Sequence, residues 1–168
     1  SGHSHFCEVF FTDVMVPDEQ RLGEVNGGWA VALSTLINER LASGRDQAPD
    51  VGAALAHARA LGEGSGGLHD SATRERLARW YVQAAGVRYT RFRVITRLAQ
   101  GELPGLESSI TKLVVANKLQ EIAAQGIDLQ GPEGIVTEEA QAPFSALFQQ
   151  GFLHAPAVRI AGGTDEIL

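Results

Sequence analysis

Apolar residues recur along most of this chain at intervals of three and four, the period of a helix with one buried face. This pattern begins at Trp29 and predicts a first helix that Gly44 would end. Residues 46–49 predict a bend, and residues 51–61 resume the helical pattern. The apolar stripe of the first helix consists of Trp29, Leu33, Leu36, Ile37 and Leu41.

Two longer helices are predicted in the middle of the chain. Asp70 or Ser71 is placed to cap one of them, and Ser108 or Ser109 to cap the next. The oxygen of such a side chain accepts a hydrogen bond from a backbone N–H that the first turn leaves unpaired.

Stretches that contain glycine or proline separate these helices. They lie at residues 101–105 and 126–134, and a short last helix is predicted over 144–154. Because the helices are long and no strand alternates with them, the predicted fold class is all-α, an antiparallel four-helix bundle.

One segment departs from the helical period. Residues 6–16 are rich in Phe and Val and close on Pro17, which predicts a β-strand. A single strand leaves its backbone donors and acceptors unpaired, so this strand needs a partner from another part of the protein.

Composition narrows the function classes. The net charge of −6 argues against a nucleic-acid binder, which needs a basic stripe. The single cysteine, Cys7, excludes an intramolecular disulfide framework and suits a reducing compartment. No apolar run is long enough for a membrane span and no secretion signal is evident, so we expect a cytoplasmic protein.

The residue spacings that are typical of metal sites, serine hydrolases and dinucleotide-binding loops are absent or lack the required context. Histidine and cysteine never occur at metal-binding intervals, and no Gly-x-Ser-x-Gly elbow is present, so no metal site is predicted. Gly62, Gly64 and Gly67 satisfy G-x-G-x-x-G, but an alanine-rich helical pattern precedes them where a strand is required. We interpret that stretch as a loop between helices.

Two motifs at opposite ends of the chain carry a family resemblance. The first is FFTDVMVP at 10–17, followed by LGE at 22–24, GGW at 27–29 and NER at 38–40. It resembles the passage in which acyl-CoA dehydrogenases leave their middle β-domain and enter the C-terminal helical bundle. The second is GGTDEI at 162–167, which resembles the family's Gly-Thr-Asn/Ser-Glu-Ile motif.

The resemblance implies a domain division and a reaction. Residues 1–27 would be the end of the middle β-domain and a linker, and residues 28–168 a helical bundle incomplete at its C-terminus. The parent protein would be an FAD-dependent acyl-CoA dehydrogenase that oxidises an acyl-CoA thioester to the trans-2-enoyl-CoA. Its implied partners are acyl-CoA, an electron-transfer flavoprotein or similar acceptor, and homologous subunits in a homo- or hetero-oligomer.

The resemblance also raises the question of the catalytic base. In many family members a Glu directly precedes the Gly-Thr of the terminal motif, but Gly162 stands there and cannot take a proton. A minority arrangement places the base before an Arg on the first bundle helix, which matches Glu39 before Arg40. Burial beside the apolar stripe would raise the pKa of Glu39, and Arg40 could contact the acyl-CoA. The alternative is an ordinary solvated Glu-Arg pair.

Flavin contacts are implied at the terminal motif. Gly163, Thr164, Asp165 and Glu166 match it, while a second glycine-containing element is matched only in part, at Gly131. The alternative for Thr164 is simple helix capping. The weakened elements suit a divergent bacterial subgroup that acts on sterol side chains or other bulky acyl groups.

Two other functions stay open. The chain could belong to a non-catalytic subunit of a heteromeric acyl-CoA dehydrogenase, or it could be a helical assembly module. In each case we expect the isolated chain to be inactive, because a bundle supplies only one wall of a flavin site.

Overall fold

The structure is a computed structural model of the chain, and it describes residues 7–42, 50–62, 68–102 and 105–167. The described residues form helices and connecting segments and contain no strand. The α-helices are α1 (Gly28–Ala42), α2 (Val51–Gly62), α3 (Ser71–Ala99), α4 (Glu107–Leu129) and α5 (Leu147–Ile160). Short 3-10 helices span Asp18–Gln20, Gly131–Ile135 and Pro143–Ala146.

Contacts divide the chain into two compact units, Ser1–Ser43 and Gly44–Leu168. In the first unit residues 7–16 pair with no other strand of the described chain, so the strand predicted over residues 6–16, whose partner was expected in another part of the protein, stays a prediction. The helical prediction from Trp29 is confirmed as α1, but its apolar stripe lies open, with Trp29 74% exposed. The predicted domain boundary at residue 27 stays a prediction, and the predicted helix end at Gly44 and bend at 46–49 lie outside the described residues.

The second unit is built around α4, which contacts α2, α3 and α5. The all-α fold class is therefore confirmed. One buried cluster joins all four helices and consists of Ala54, Ala58, Leu77, Trp80, Ile122 and Phe148. Trp80 keeps its polar edge satisfied, since its indole N–H donates to a Glu121 carboxylate oxygen at 2.9 Å.

The helix starts show one confirmed cap and one wrong prediction. Asp70 caps α3, as its carboxylate accepts from the Thr73 amide at 2.7 Å and from the Thr73 hydroxyl at 2.7 Å. The N-cap of α4 is Leu106 and not Ser108 or Ser109, because the helix begins at Glu107. Glu107 accepts from Arg97 at 2.8 Å, and an acidic residue in the first turn is favoured by the helix dipole.

The predicted loop at residues 126–134 is wrong at its start, because α4 continues to Leu129. Gly126 lies inside this helix and is buried where the Phe148 ring of α5 comes against it. The glycine thus serves close helix packing. The last helix is also longer than predicted, since α5 runs from Leu147 to Ile160 through Pro156.

The contact at Gly126 predicts that alanine has opposite effects on stability at two helical glycines, Gly126 and Gly86. A Cβ at Gly126 would overlap the Phe148 ring, so Gly126→Ala should destabilise the protein by about 1–3 kcal/mol. Gly86→Ala is the matched control, because Gly86 lies within α3 with nothing near its added Cβ. Alanine there should stabilise by about 0.5–1 kcal/mol through helix propensity. Urea unfolding monitored by circular dichroism measures both, and equal midpoints for the two variants would contradict the packing argument.

A histidine is buried in the same core. His57 of α2 is 1% exposed, and its ring lies 4.4 Å from that of Phe144 and 5.0 Å from that of Phe148. Neither ring nitrogen makes a hydrogen bond within the described part of the chain. Burial lowers the pKa of His57, and the Gly126 carbonyl offsets this in part. The folded protein therefore prefers the neutral ring.

This preference predicts a stability loss in mild acid. Below the ordinary pKa of 6.5, the unfolded chain takes up a proton at His57 that the folded chain resists, so stability falls as pH drops from about 7 toward 5. His57→Met should flatten that slope. His154→Gln is the control, since His154 is exposed on α5 and should leave the slope unchanged. Urea midpoints at several pH values test this, and a slope that His57→Met does not alter would refute it.

Candidate functional site at the chain's terminal loop

Glu39 lies in the last turns of α1 with its side chain exposed. The neighbouring polar side chains bond back to their own helix, with Asn38 donating to the Ser34 carbonyl at 2.9 Å. The segment itself therefore leaves the Glu39 side chain without an apolar enclosure. The side chain of Arg40 lies outside the described residues.

The terminal motif forms a tight loop after α5, and residues 161–167 are called the terminal loop. The Gly163 amide donates to the Ile160 carbonyl at 3.1 Å, and the Ile167 amide donates to the Thr164 carbonyl at 3.1 Å. Gly162 has φ +70° and Gly163 has φ +116°, conformations that favour glycine. The two glycines thus reverse the chain where α5 ends.

Asp165 is shielded beneath this loop. Its side chain is 15% exposed, and its carboxylate is paired with the Arg159 guanidinium, whose Nε lies 2.7 Å away. Lys112 of α4 lies on the other side, with its Nζ 3.9 Å from the second carboxylate oxygen. A carboxylate predicted to contact the flavin thus faces two cations of the protein.

Lys112 binds the loop's backbone as well. Its ammonium group donates to the Arg159 carbonyl at 2.7 Å and to the Gly163 carbonyl at 2.5 Å. Arg159 is in turn held by Gln120, whose side-chain oxygen accepts at 2.9 Å. Sequence reasoning missed Lys112, Gln120 and Arg159, because these partners lie 39 to 51 residues apart or carry no motif of their own.

The remaining motif residues lie toward solvent. Glu166 is exposed, and its carboxylate accepts from its own backbone amide and from the Thr164 hydroxyl, which together hold its pKa below the usual range. The amides of Thr164 and Asp165 make no backbone hydrogen bond within the described residues. The loop therefore presents backbone donors that a flavin's carbonyl oxygens or ring nitrogens can accept.

Gly131 lies at the start of a 3-10 helix after α4, with φ +57° and open space where a Cβ would be. Beside it the Gln149 amide donates to the Gln130 side-chain oxygen at 2.6 Å in the interior, which ties this corner to α5. The openness at Gly131 and Gly162 and the donors at Thr164 and Asp165 fit the approach of a flat polar ligand.

A small internal cavity lies elsewhere. Its lining includes His57, Thr73, Trp80 and Gln125, and it has room for about one water molecule. None of the terminal-loop residues lines it. None of the described helices is long and apolar enough to cross a membrane.

Comparison with known proteins identifies the family. The family described as "Acyl-CoA dehydrogenase, C-terminal domain" matches residues 26–168. The chain belongs to the acyl-CoA dehydrogenase family. It is 33% identical over its whole length to the acyl-CoA dehydrogenase FadE34 of Mycobacterium tuberculosis, of which it covers 22%. It is 30% identical to the acyl-CoA dehydrogenase IpdE1 of Mycolicibacterium smegmatis over 99% of its own length and 41% of that protein.

Solved structures show the same fold. Butyryl-CoA dehydrogenase of Megasphaera elsdenii superposes with a TM-score of 0.75 at 22% identity, over 93% of this chain and 40% of that one. The Tcur3481–Tcur3483 steroid ACAD superposes with a TM-score of 0.72 at 22% identity, over 94% of this chain and 41% of that one. The chain thus spans less than half the length of the relatives it matches, and it corresponds to their C-terminal helical domain.

Proposed function

We propose that this chain is the helical bundle of an FAD-dependent dehydrogenase that oxidises an acyl-CoA thioester to its trans-2-enoyl-CoA. The observation that carries the proposal is the terminal loop, where Lys112 binds a family motif whose Thr164 and Asp165 amides make no backbone hydrogen bond within the described residues. The family membership supports the class of reaction. The cytoplasmic location rests on the composition alone.

Glu39 is the proposed base. It is the acidic residue that precedes an Arg on α1, and Gly162 leaves the more common position without a side chain. A carboxylate removes an α-proton efficiently when its pKa approaches the working pH, which requires an apolar surrounding. Since Glu39 is exposed on α1, the proposal requires that surrounding to come from beyond α1. Arg40 is the proposed contact to the acyl-CoA.

The terminal loop is the proposed flavin contact. Gly163 and Thr164 would offer backbone and hydroxyl groups, Asp165 its amide, and Glu166 its exposed carboxylate, with Gly131 as a second point of close approach. A bound FAD would supply the acceptor for the hydride that leaves the β-carbon. The protein's part is to hold that ring beside the substrate and exclude water.

Assembly with homologous subunits is part of the proposal. The outward face of α3 leaves Tyr81, Tyr89 and Phe92 more than half exposed. A run of aromatic residues of this kind is typical of a surface that another chain covers. An electron-transfer flavoprotein or similar acceptor is the proposed partner for reoxidation.

The second candidate is a non-catalytic subunit of a heteromeric enzyme. Gly162 and the exposed Glu39 favour it, because neither provides a base in an apolar setting. The steroid ACAD named above carries a paired designation, Tcur3481–Tcur3483, and its bundle has the same fold. Under this proposal the bundle supports a partner's site, and bulky acyl groups such as sterol side chains are candidate substrates.

The two candidates differ in their response to Glu39→Gln. In the full-length protein with FAD, this change should slow bleaching of the flavin by acyl-CoA by about 10²- to 10⁴-fold, because the amide cannot take the α-proton. Glu75→Gln on α3 is the control, since Glu75 is exposed and forms only a long 3.8 Å pair with Arg79.

A panel of fatty and sterol-type acyl-CoA substrates is needed for this measurement. If the wild-type protein bleaches and Glu39→Gln bleaches equally fast, Glu39 is not the base. If the protein is active only with a co-expressed homologue and Glu39→Gln has no effect in that complex, the non-catalytic role is supported. If no acyl-CoA bleaches the flavin in either preparation, the proposed reaction is refuted.

A further inference from the structure

We propose that Lys112 and Arg159 are positioning residues that fix the conformation of the terminal loop, and that the Asp165 side chain is the loop's internal anchor and makes no contact with a ligand. The conformational part of this inference rests on contacts within the chain. Its consequence for flavin binding rests on the function proposed above.

Several contacts of the terminal loop converge on the ammonium group of Lys112. Lys112 has three donors. Two of them go to carbonyls on opposite sides of the turn, Arg159 at the end of α5 and Gly163 in the loop. The third side of the group faces Asp165 at 3.9 Å. One side chain of α4 thus connects the end of α5 to two residues of the loop.

Lys112 and Asp165 are both largely buried. The side chains of Lys112 and Asp165 are 12% and 15% exposed. Groups shielded to this degree need opposite charge and hydrogen bonds to stay ionised without a large cost. Since Lys112 also places positive charge at the C-terminal end of α5, the helix dipole favours it there. Loss of Lys112 would leave the Arg159 and Gly163 carbonyls without their donor and would remove one of the two cations beside the Asp165 carboxylate.

The two carboxylate oxygens of Asp165 are both enclosed by the protein. Arg159 engages one carboxylate oxygen, and the other oxygen is buried and faces Lys112. Glu166 and Ile167 follow the shielded Asp165 in the chain and are exposed. Direct contact of the Asp165 carboxylate with a flavin would require uncovering its buried oxygen or breaking the Arg159 pair. While Asp165 is held by Arg159 and Lys112, the groups of the loop that can contact the ligand include its backbone and Thr164.

The test measures the loop's conformation separately from flavin chemistry. In the full-length protein, Lys112→Met should speed hydrogen exchange of the Gly163 and Ile167 amides about tenfold or more, because both amides are hydrogen-bonded only while the loop is closed. Lys112→Arg should restore most of the protection, since it keeps the charge and the donors.

Lys118→Met is the matched control. Lys118 lies on the same helix and is half-buried, and the charge that acts on it is that of Asp50, so the same chemical change there should leave loop exchange unaltered. Exchange in α2 and α3 reports whether a variant has unfolded as a whole. Asp165→Asn, alone and combined with Lys112→Met, tests coupling: the double variant should exchange less than the product of the two single effects.

The flavin readout separates the two proposals. Lys112→Met should weaken FAD affinity and shift the visible circular dichroism of bound flavin, and Lys112→Arg should reverse both changes. If loop exchange in Lys112→Met equals that of the wild-type protein, the inference is overturned whatever the flavin does. If the loop opens but FAD affinity and spectrum are unchanged, the positioning role is overturned. If the wild-type protein binds no flavin while the loop still responds, it is the proposed function that fails.

Discussion

The structure depends on the close approach of α5 to α4. Phe148 can lie directly against α4 because position 126 has no side chain, and the same ring belongs to the cluster that joins α2, α3 and α4. Aromatic burial of this size is among the larger single contributions to a small core. The seating of Phe148 fixes the axis of α5 and therefore where its last turn ends.

Polar contacts continue this attachment on both sides of Phe148. Near the start of α5, the buried hydrogen bond from the Gln149 side-chain amide to the Gln130 side-chain oxygen sets its register along α4. At the other end, Lys112 binds the carbonyls that α5 and the loop leave without helical partners. The apolar contact provides most of the burial, while these polar groups select one alignment, because a shift of α5 would leave them buried and unpaired. The terminal loop thus inherits its position from helix packing.

What the sequence could predict follows from the range of each interaction. Helical period and the Asp70 cap are local, so α1, α2 and the start of α3 were predictable. Gly126 was misinterpreted as a loop residue because the glycine signal is the same whether the chain turns or a partner helix approaches. The start of α4 was missed since Arg97, ten residues earlier, pairs with Glu107. The Lys112 contacts span 47 and 51 residues and leave no periodic trace.

The loop's backbone also bears on why glycine stands at residue 162. Gly162 has φ +70°, a conformation in which a residue with a Cβ costs roughly 1–2 kcal/mol. Space for a Cβ exists there, so the restriction is one of backbone conformation and not of crowding. A glutamate at this position would have to strain the turn or change the path that Lys112 and Asp165 hold. The conformation of the anchored loop therefore favours glycine at residue 162, and this preference supports the proposal that the base is carried on α1.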